Sequence, residues 1–305
     1  MRIIFMGTPD FAVASLDALV KAGYNVVAAI TAPDKPAGRG LQLQQSAVKQ
    51  YAVAHNIPVL QPEKLKNPAF LEELRGYRAD LQVVVAFRML PELVWDMPPL
   101  GTINVHASLL PQYRGAAPIN WAIINGESKS GVTTFKLQHE IDTGNILFKS
   151  EVPIRPDETA GELHDALMQA GAETLLRTVA ALKEGNLHGQ PQDDIDAGQL
   201  KHAPKIFKDD CRIDWEQPLE KVYNLVRGLS PYPAAFTTLQ GKTLKIYKAS
   251  PDPVAHTCAP GTVQSDQKTY LKFAARGGFL NVLELQLEGK KKMGVEEFLR
   301  GFRFE

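Results

Sequence analysis

The chain has 305 residues with 34 Lys/Arg against 34 Asp/Glu, 44% hydrophobic and 22% charged residues, which suits a folded protein large enough for two domains and excludes disordered and collagen-like classes. No apolar run reaches the roughly 18 residues of a membrane span, and Met1-Arg2-Ile3-Ile4-Phe5 enters a strand pattern at once, so a cytoplasmic protein without signal peptide or membrane partner is expected. A net charge of zero argues against indiscriminate coating of nucleic acid, although the stretch from residue 205 onward is mildly basic, and Cys211 and Cys258 lack the spacing of a disulfide framework or a zinc site.

Apolar runs at Ile3 to Met6, Val26 to Ile30, Leu81 to Ala86 and Thr102 to Val105 suit central parallel strands buried on both faces. Phe11, Leu16, Leu19 and Val20 mark one face of a helix after Pro9-Asp10, and Lys49 to His55 and Pro68 to Arg75 read as further crossover helices. This alternation predicts an α/β domain with a parallel sheet. Val132 to Phe135 and Ile146 to Phe148 predict two more strands around a turn. A helix from about Glu158 to Glu184 ends at Gly185-Asn186. Residues 188 to 204 read as a linker. Short strands at Ala235 to Leu239, Thr243 to Ala249, Gly261 to Gln264, Thr269 to Ala274 and Phe279 to Leu287, with helices near Leu219 to Arg227 and Val295 to Arg300, predict a small β-barrel.

Asn104 and His106 stand two apart, so on an extended strand their side chains share one face and can converge on one ligand atom. A lone histidine at a strand end is more often structural. Here it falls where the predicted strand runs out into Ser108-Leu109-Leu110-Pro111, and ligands of such sheets bind beyond the carboxyl ends of the strands. Asp142, opening Asp142-Thr143-Gly144, is the candidate carboxylate to fix the ring. A Ser108-His106-Asp142 hydrolase triad lacks the G-x-S-x-G elbow. A single Asp-Thr-Gly in an α/β setting is better explained as a turn than as half of an aspartic protease. His139-Glu140 lacks the second histidine of a zinc helix, and Gly38-Arg39-Gly40 lacks the third glycine of a dinucleotide fingerprint. The loop from Thr31 to Gly40 is rich in Pro, Gly and basic residues, which suits an arm whose Lys35 and Arg39 meet an anionic partner. Arg114 is placed to meet phosphate or carboxylate bidentately, whereas Lys290-Lys291-Lys292 reads as a solvated run.

Asn104, His106, Ser108 to Pro111, Arg114-Gly115 and Asp142 to Gly144 together resemble the signature of the 10-formyltetrahydrofolate-dependent formyltransferases. Gly7 to Ala12, Pro33 to Gly40 and Gly115 to Ile119 resemble most closely the members that act on methionyl-tRNA. The resemblance implies a Rossmann-like catalytic domain over residues 1–187, a linker over 188–204 and an OB-like, tRNA-binding β-barrel domain over 205–305. It implies 10-formyltetrahydrofolate as formyl donor, no metal, initiator methionyl-tRNA as acceptor, and a monomer. Asn104 and His106 would face the oxyanion, and Asp142 would orient His106 and help accept the amine proton. Arg88, Met89, Leu90, Ser108, Leu109, Leu110 and Pro111 would contact the folate, and Lys35, Arg39 and Arg114 the tRNA. One departure is Ala86-Phe87-Arg88-Met89-Leu90-Pro91, where many members acting on tRNA have a glycine and one more residue before the proline. Arg88 to Leu90 are instead similar to the purine-pathway members. A sugar-nucleotide formyltransferase shares the same three polar residues and is the alternative within the family. An RNA-binding protein with a decayed catalytic domain is the alternative outside it, and formyl transfer by the purified protein separates the two.

Overall fold

Strand β1 (Arg2–Gly7) is buried from Ile3 to Met6, each at 0% exposure. Ile4 and Met6 face a core cluster that also holds Ala28, Ile30, Phe70, Leu71, Leu74 and Val84, so Ile3 and Phe5 point to the other side of the sheet. An apolar run covered on both faces is the arrangement that parallel pairing requires. The structure is a computed structural model, and it describes residues 1–37, 42–185, 187–192 and 197–304.

After β1 come α1 (Asp10–Lys21), β2 (Asn25–Ile30), α2 (Ala47–Ala54), β3 (Val59–Leu60), α3 (Pro68–Gly76), β4 (Leu81–Val85) and β5 (Thr102–His106). Helix α4 (Pro118–Ile124) precedes β6 (Lys129–Lys136), β7 (Ile146–Pro153) and the long α5 (Ala160–Glu184). The seven strands lie in the order β7-β6-β5-β4-β1-β2-β3. The pairs β1–β2, β1–β4, β2–β3 and β4–β5 are parallel, while β6 joins β5 antiparallel. This is the α/β class expected from the alternation, in the Rossmann-like form that the resemblance implies. The order reverses at β1, and in open sheets of this kind ligands bind outside the carboxyl ends of the strands at such a switch point, here β1 and β4, beside β5.

Capping sets where the helices begin. Ser46 Oγ accepts from the Lys49 amide at 3.1 Å, so α2 opens two residues before the expected Lys49. Asn67 caps α3 ahead of Pro68. Thr159 Oγ1 accepts from the Glu162 amide at 3.3 Å while Glu162 accepts from the Thr159 amide at 2.9 Å, a reciprocal cap that starts α5 at Ala160 rather than Glu158. Those bonds hold the Glu162 carboxyl below its ordinary range. The helix ends as expected at Gly185, with φ of 73°.

The described chain divides into two compact units. The first comprises residues 1–114, 130–152 and 164–201, and the second comprises 115–129, 153–163 and 202–305. In the second unit, α6 (Leu219–Gly228) is followed by β8 (Ala235–Leu239), β9 (Lys242–Asp252), β10 (Val263–Ser265), β11 (Leu271–Ala275), β12 (Gly278–Leu287) and α7 (Val295–Gly301). The sheet order is β8-β9-β12-β11-β10, with the short strand Met293–Gly294 on β12. All the pairings are antiparallel. Register shifts between Ile246 and Ala249 bend β9, and the curled sheet wraps a core of Leu244, Ile246, Leu271, Phe273, Leu280 and Leu285. The expected barrel is thus a curled antiparallel sheet. Arg227, only 7% exposed, donates to Asn224 at 2.9 Å and to the Glu158 carbonyl at 3.1 Å, tying residues 153–163 to α6 within this unit.

Candidate active site

Asn104 and His106 lie on β5 between β4 and β6. Asn104 stands opposite Val84 on one side and Phe135 on the other, and His106 stands opposite Thr133. Their side chains share a face of the strand, as the spacing predicts. Asn104 is half-buried and His106 is 8% exposed.

The His106 ring is oriented from below and from the side. Its Nε2 lies 2.9 Å from the carbonyl oxygen of Tyr113, and because a carbonyl only accepts, that nitrogen carries a proton and donates it. Its Nδ1 faces the Asp142 carboxylate at 4.0 Å, beyond direct hydrogen-bond length. With Nε2 committed to Tyr113, Nδ1 is the ring atom that can exchange protons or contact a ligand, and it does so on the Asp142 side. Phe135 packs edge-on to the imidazole at 6.5 Å between centroids.

Tyr113, which sequence reasoning did not single out, has φ of 58°, and Asp142 has φ of 55°. Ala86, at the end of β4, has φ of 47°. Non-glycine residues in the left-handed region carry strain and gather at functional sites. No pattern of residue types marked Tyr113, because its contribution is a main-chain oxygen. A second unmarked residue is Thr133. Its hydroxyl donates to the Ser108 carbonyl at 2.7 Å and accepts from the Leu110 amide at 3.1 Å, pinning the segment after β5 to β6.

The other expected contacts fall as follows. The Ser108 hydroxyl donates to the Gln112 carbonyl at 2.7 Å, closing the turn, and Leu110 is buried while Leu109 is half-buried. Pro111 is also buried. Arg88 is exposed and donates to the carbonyls of Pro62 and Glu63. Met89 is 74% exposed and Leu90 half-buried. Lys35 is exposed on a short hairpin of Lys35–Ala37 and Gln42–Gln44, whose base is held by the Thr31–Ser46 hydroxyl pair at 2.6 Å and by Lys49 on Asp34 at 2.5 Å. Arg39 lies outside the described residues. Arg114 is half-buried and donates through Nε and Nη2 to Gln192 at 3.2 and 2.6 Å.

The turn that carries Asp142 is clamped at Gly144. A Cβ there would lie 1.7 Å from the Lys136 carbonyl and 3.1 Å from the Phe135 ring, so only glycine lets the loop close onto β6. Gly144→Ala should destabilise the fold by about 1–3 kcal/mol, as overpacking typically does, and lower turnover with it. Denaturant unfolding checks this, and an unchanged midpoint would show that the loop absorbs the methyl group. Among the described residues no group of His, Cys, Asp and Glu is arranged to hold a metal ion, and no helix is long and apolar enough to cross a membrane.

An amide and an imidazole on one strand face, with a carboxylate 4.0 Å from the ring, form a site suited to receive negative charge on a carbonyl oxygen and to take up a proton. The chain belongs to the formyl transferase family: the family described as Formyl transferase matches residues 1–179, and Formyl transferase, C-terminal domain, matches residues 205–303. Within it, the chain is 58% identical to the methionyl-tRNA formyltransferase of Parabacteroides distasonis, covering 99% of this chain and 96% of that protein. It is 52% identical to the methionyl-tRNA formyltransferase of Flavobacterium johnsoniae, covering 100% and 97%. Among solved structures, an N-formyltransferase from Helicobacter canadensis in complex with folinic acid and dTDP-3-aminofucose superposes with a TM-score of 0.69 at 19% identity, covering 95% of this chain and 99% of that one. At that identity the likeness concerns the fold.

Proposed function

We propose that this enzyme transfers the formyl group of 10-formyltetrahydrofolate to the amino group of initiator methionyl-tRNA, acting as a monomer in the cytoplasm. The acceptor follows from relatives that share more than half of their residues with this chain over nearly its whole length and are named for that reaction. The observation that supports the chemistry is the approach of the Asp142 carboxylate to His106 Nδ1 at 4.0 Å, at the end of the strand on which Asn104 shares the face of His106.

Direct attack of the acceptor amine on the formyl carbon forms the new C–N bond and breaks the bond to the folate nitrogen, with no covalent enzyme intermediate, so the protein must support a developing oxyanion and move a proton from the amine to the departing folate nitrogen. The Asn104 amide donates toward the oxyanion. With Nε2–H spent on Tyr113, His106 contributes through Nδ1, which accepts a proton and, once protonated, donates toward the oxyanion. Asp142, on the Nδ1 side, steadies charge on the ring and helps accept the amine proton, directly or through water. Folate is the donor class that this donor set suits, its pterin meeting the backbone of Arg88, Met89 and Leu90 and its remaining body meeting Ser108, Leu109, Leu110 and Pro111. Lys35, Arg39 and Arg114 meet tRNA phosphates, together with the mildly basic 205–305 domain. Residues 1–187 then carry the chemistry, and the segment 188–204 packs in part against them before the chain enters the 205–305 domain.

The purified protein should formylate methionyl-tRNA with 10-formyltetrahydrofolate and leave an amino-sugar nucleotide unmodified under the same conditions. Formylation of the sugar nucleotide in place of the tRNA would reverse the assignment of acceptor, and transfer to neither would remove the enzymatic reading.

A further inference from the structure

Gln192 belongs to the segment that composition alone marks as a connector, yet its side chain is fully committed inside the first unit. Its Nε2 donates to the Asp142 carbonyl at 2.7 Å and to the Gly144 carbonyl at 3.0 Å. Its Oε1 accepts from Arg114 Nε at 3.2 Å and Nη2 at 2.6 Å. Carbonyls only accept and a guanidinium only donates, so these partners fix which end of the carboxamide is which. Two residues earlier, the Gln190 backbone exchanges hydrogen bonds with Ile146 at 2.7 and 2.8 Å, which registers the segment against the strand that follows the Asp142 turn.

The turn needs such a hold. Asp142 sits at φ of 55°, a conformation that side-chain-bearing residues avoid. Its neighbour Thr143 bonds only locally in the bonds described, accepting from Gln138 at 2.8 Å and donating to the Glu140 carbonyl at 3.1 Å. The two bonds from Gln192 aim the carbonyls on either side of Thr143 at one donor and fix the plane from which the Asp142 carboxylate projects toward His106. The same amide orients the guanidinium of Arg114.

We propose that Gln192 is a positioning residue for formyl transfer, a single carboxamide that sets Asp142 against His106 Nδ1 and Arg114 toward the anionic acceptor. The proposal rests on the reading of Asp142 as the group that helps accept the amine proton. Glutamine suits the task because it offers donors at one end and an acceptor at the other. Glutamate keeps an acceptor for Arg114 but turns a carboxylate toward two carbonyl oxygens, and leucine serves neither partner.

The test is steady-state formylation of methionyl-tRNA by the full chain with Gln192→Leu, Gln192→Glu, Asp142→Asn and Asp142→Asn combined with Gln192→Leu. Gln192→Leu should lower kcat by about 10- to 100-fold while the KM for formyltetrahydrofolate stays within about twofold, because a misplacement near 1 Å costs up to about 100-fold in rate. Gln192→Glu should lose kcat to a similar extent while sparing the KM for tRNA. The double variant should have a kcat no lower than that of Asp142→Asn alone, since for the chemical step a residue acting through Asp142 has nothing left to position, while the release of Arg114 is read in the KM for tRNA. Gln192→Asn, whose amide stops short of both carbonyls, should fall in the same direction and stands in if the leucine variant unfolds. Single variants with kcat near that of the parent, or losses that multiply in the double variant, would overturn the proposal while leaving the reading of Asp142 in place. An Asp142→Asn variant with full turnover would remove that reading, and this proposal with it.

Discussion

His106→Ala lowers kcat by at least about 10²- to 10³-fold while affinity for the folate donor stays nearly intact. The magnitude is that of losing one preorganised contact to an oxyanion, and the loss is selective because the contact strengthens only as charge develops. The geometry sharpens the expectation. The ring is held by donation from Nε2 to the Tyr113 carbonyl at 2.9 Å, so Nδ1 is the working atom. His106→Gln, which cannot reproduce both ring positions, should therefore restore little. Single-turnover kinetics with formyltetrahydrofolate, together with an equilibrium measurement of folate binding, checks this. Unchanged turnover would remove the mechanism, and a loss that appears only as weakened folate binding would move His106 from the chemistry to donor recognition.

Asp142→Asn should cost about 10²- to 10⁴-fold in kcat, the usual worth of a general base. Asparagine is the informative replacement because it keeps the volume of the carboxylate and tolerates the φ of 55° better than most other side-chain-bearing residues, so the turn stays in place while the charge is removed. Asp142→Ala would mix loss of charge with strain at that position. Rates measured at saturating tRNA and donor check the prediction, and a variant within twofold of the parent would place the proton acceptor elsewhere.

The central sheet was legible because its strands are apolar on both faces, a pattern that Ile3 to Met6 displays without interruption and Leu81 to Val85 with Gln82 as its one polar residue. Helix starts were legible to within about two residues, and the discrepancies at Ala47 and Ala160 trace to the caps Ser46 and Thr159, which set the boundary by side-chain bonds that apolar periodicity does not register. The hairpin at residues 35–37 and 42–44 and the short α4 escaped, since elements of a few residues carry too little periodicity to read. In the site, Asn104 and His106 stand two apart on one strand and announce themselves by spacing, and the choice of Asp142 as the carboxylate is supported by the family resemblance. Tyr113, Thr133 and Gln192 were invisible for a common reason. They act through main-chain oxygens, or upon them, across separations that residue type and local spacing do not encode.

The interleaving of the two compact units bears on how the chain matures during synthesis. Helix α4 buries Pro118, Ala122 and Ile123, and it packs on α6, whose Gly228 leaves room for Ile124. As the ribosome extends the polypeptide, α4 emerges about a hundred residues before α6, its partner, exists. The nascent protein therefore carries an apolar helix awaiting its complement, and the second unit cannot close until α6 has followed it out of the ribosome.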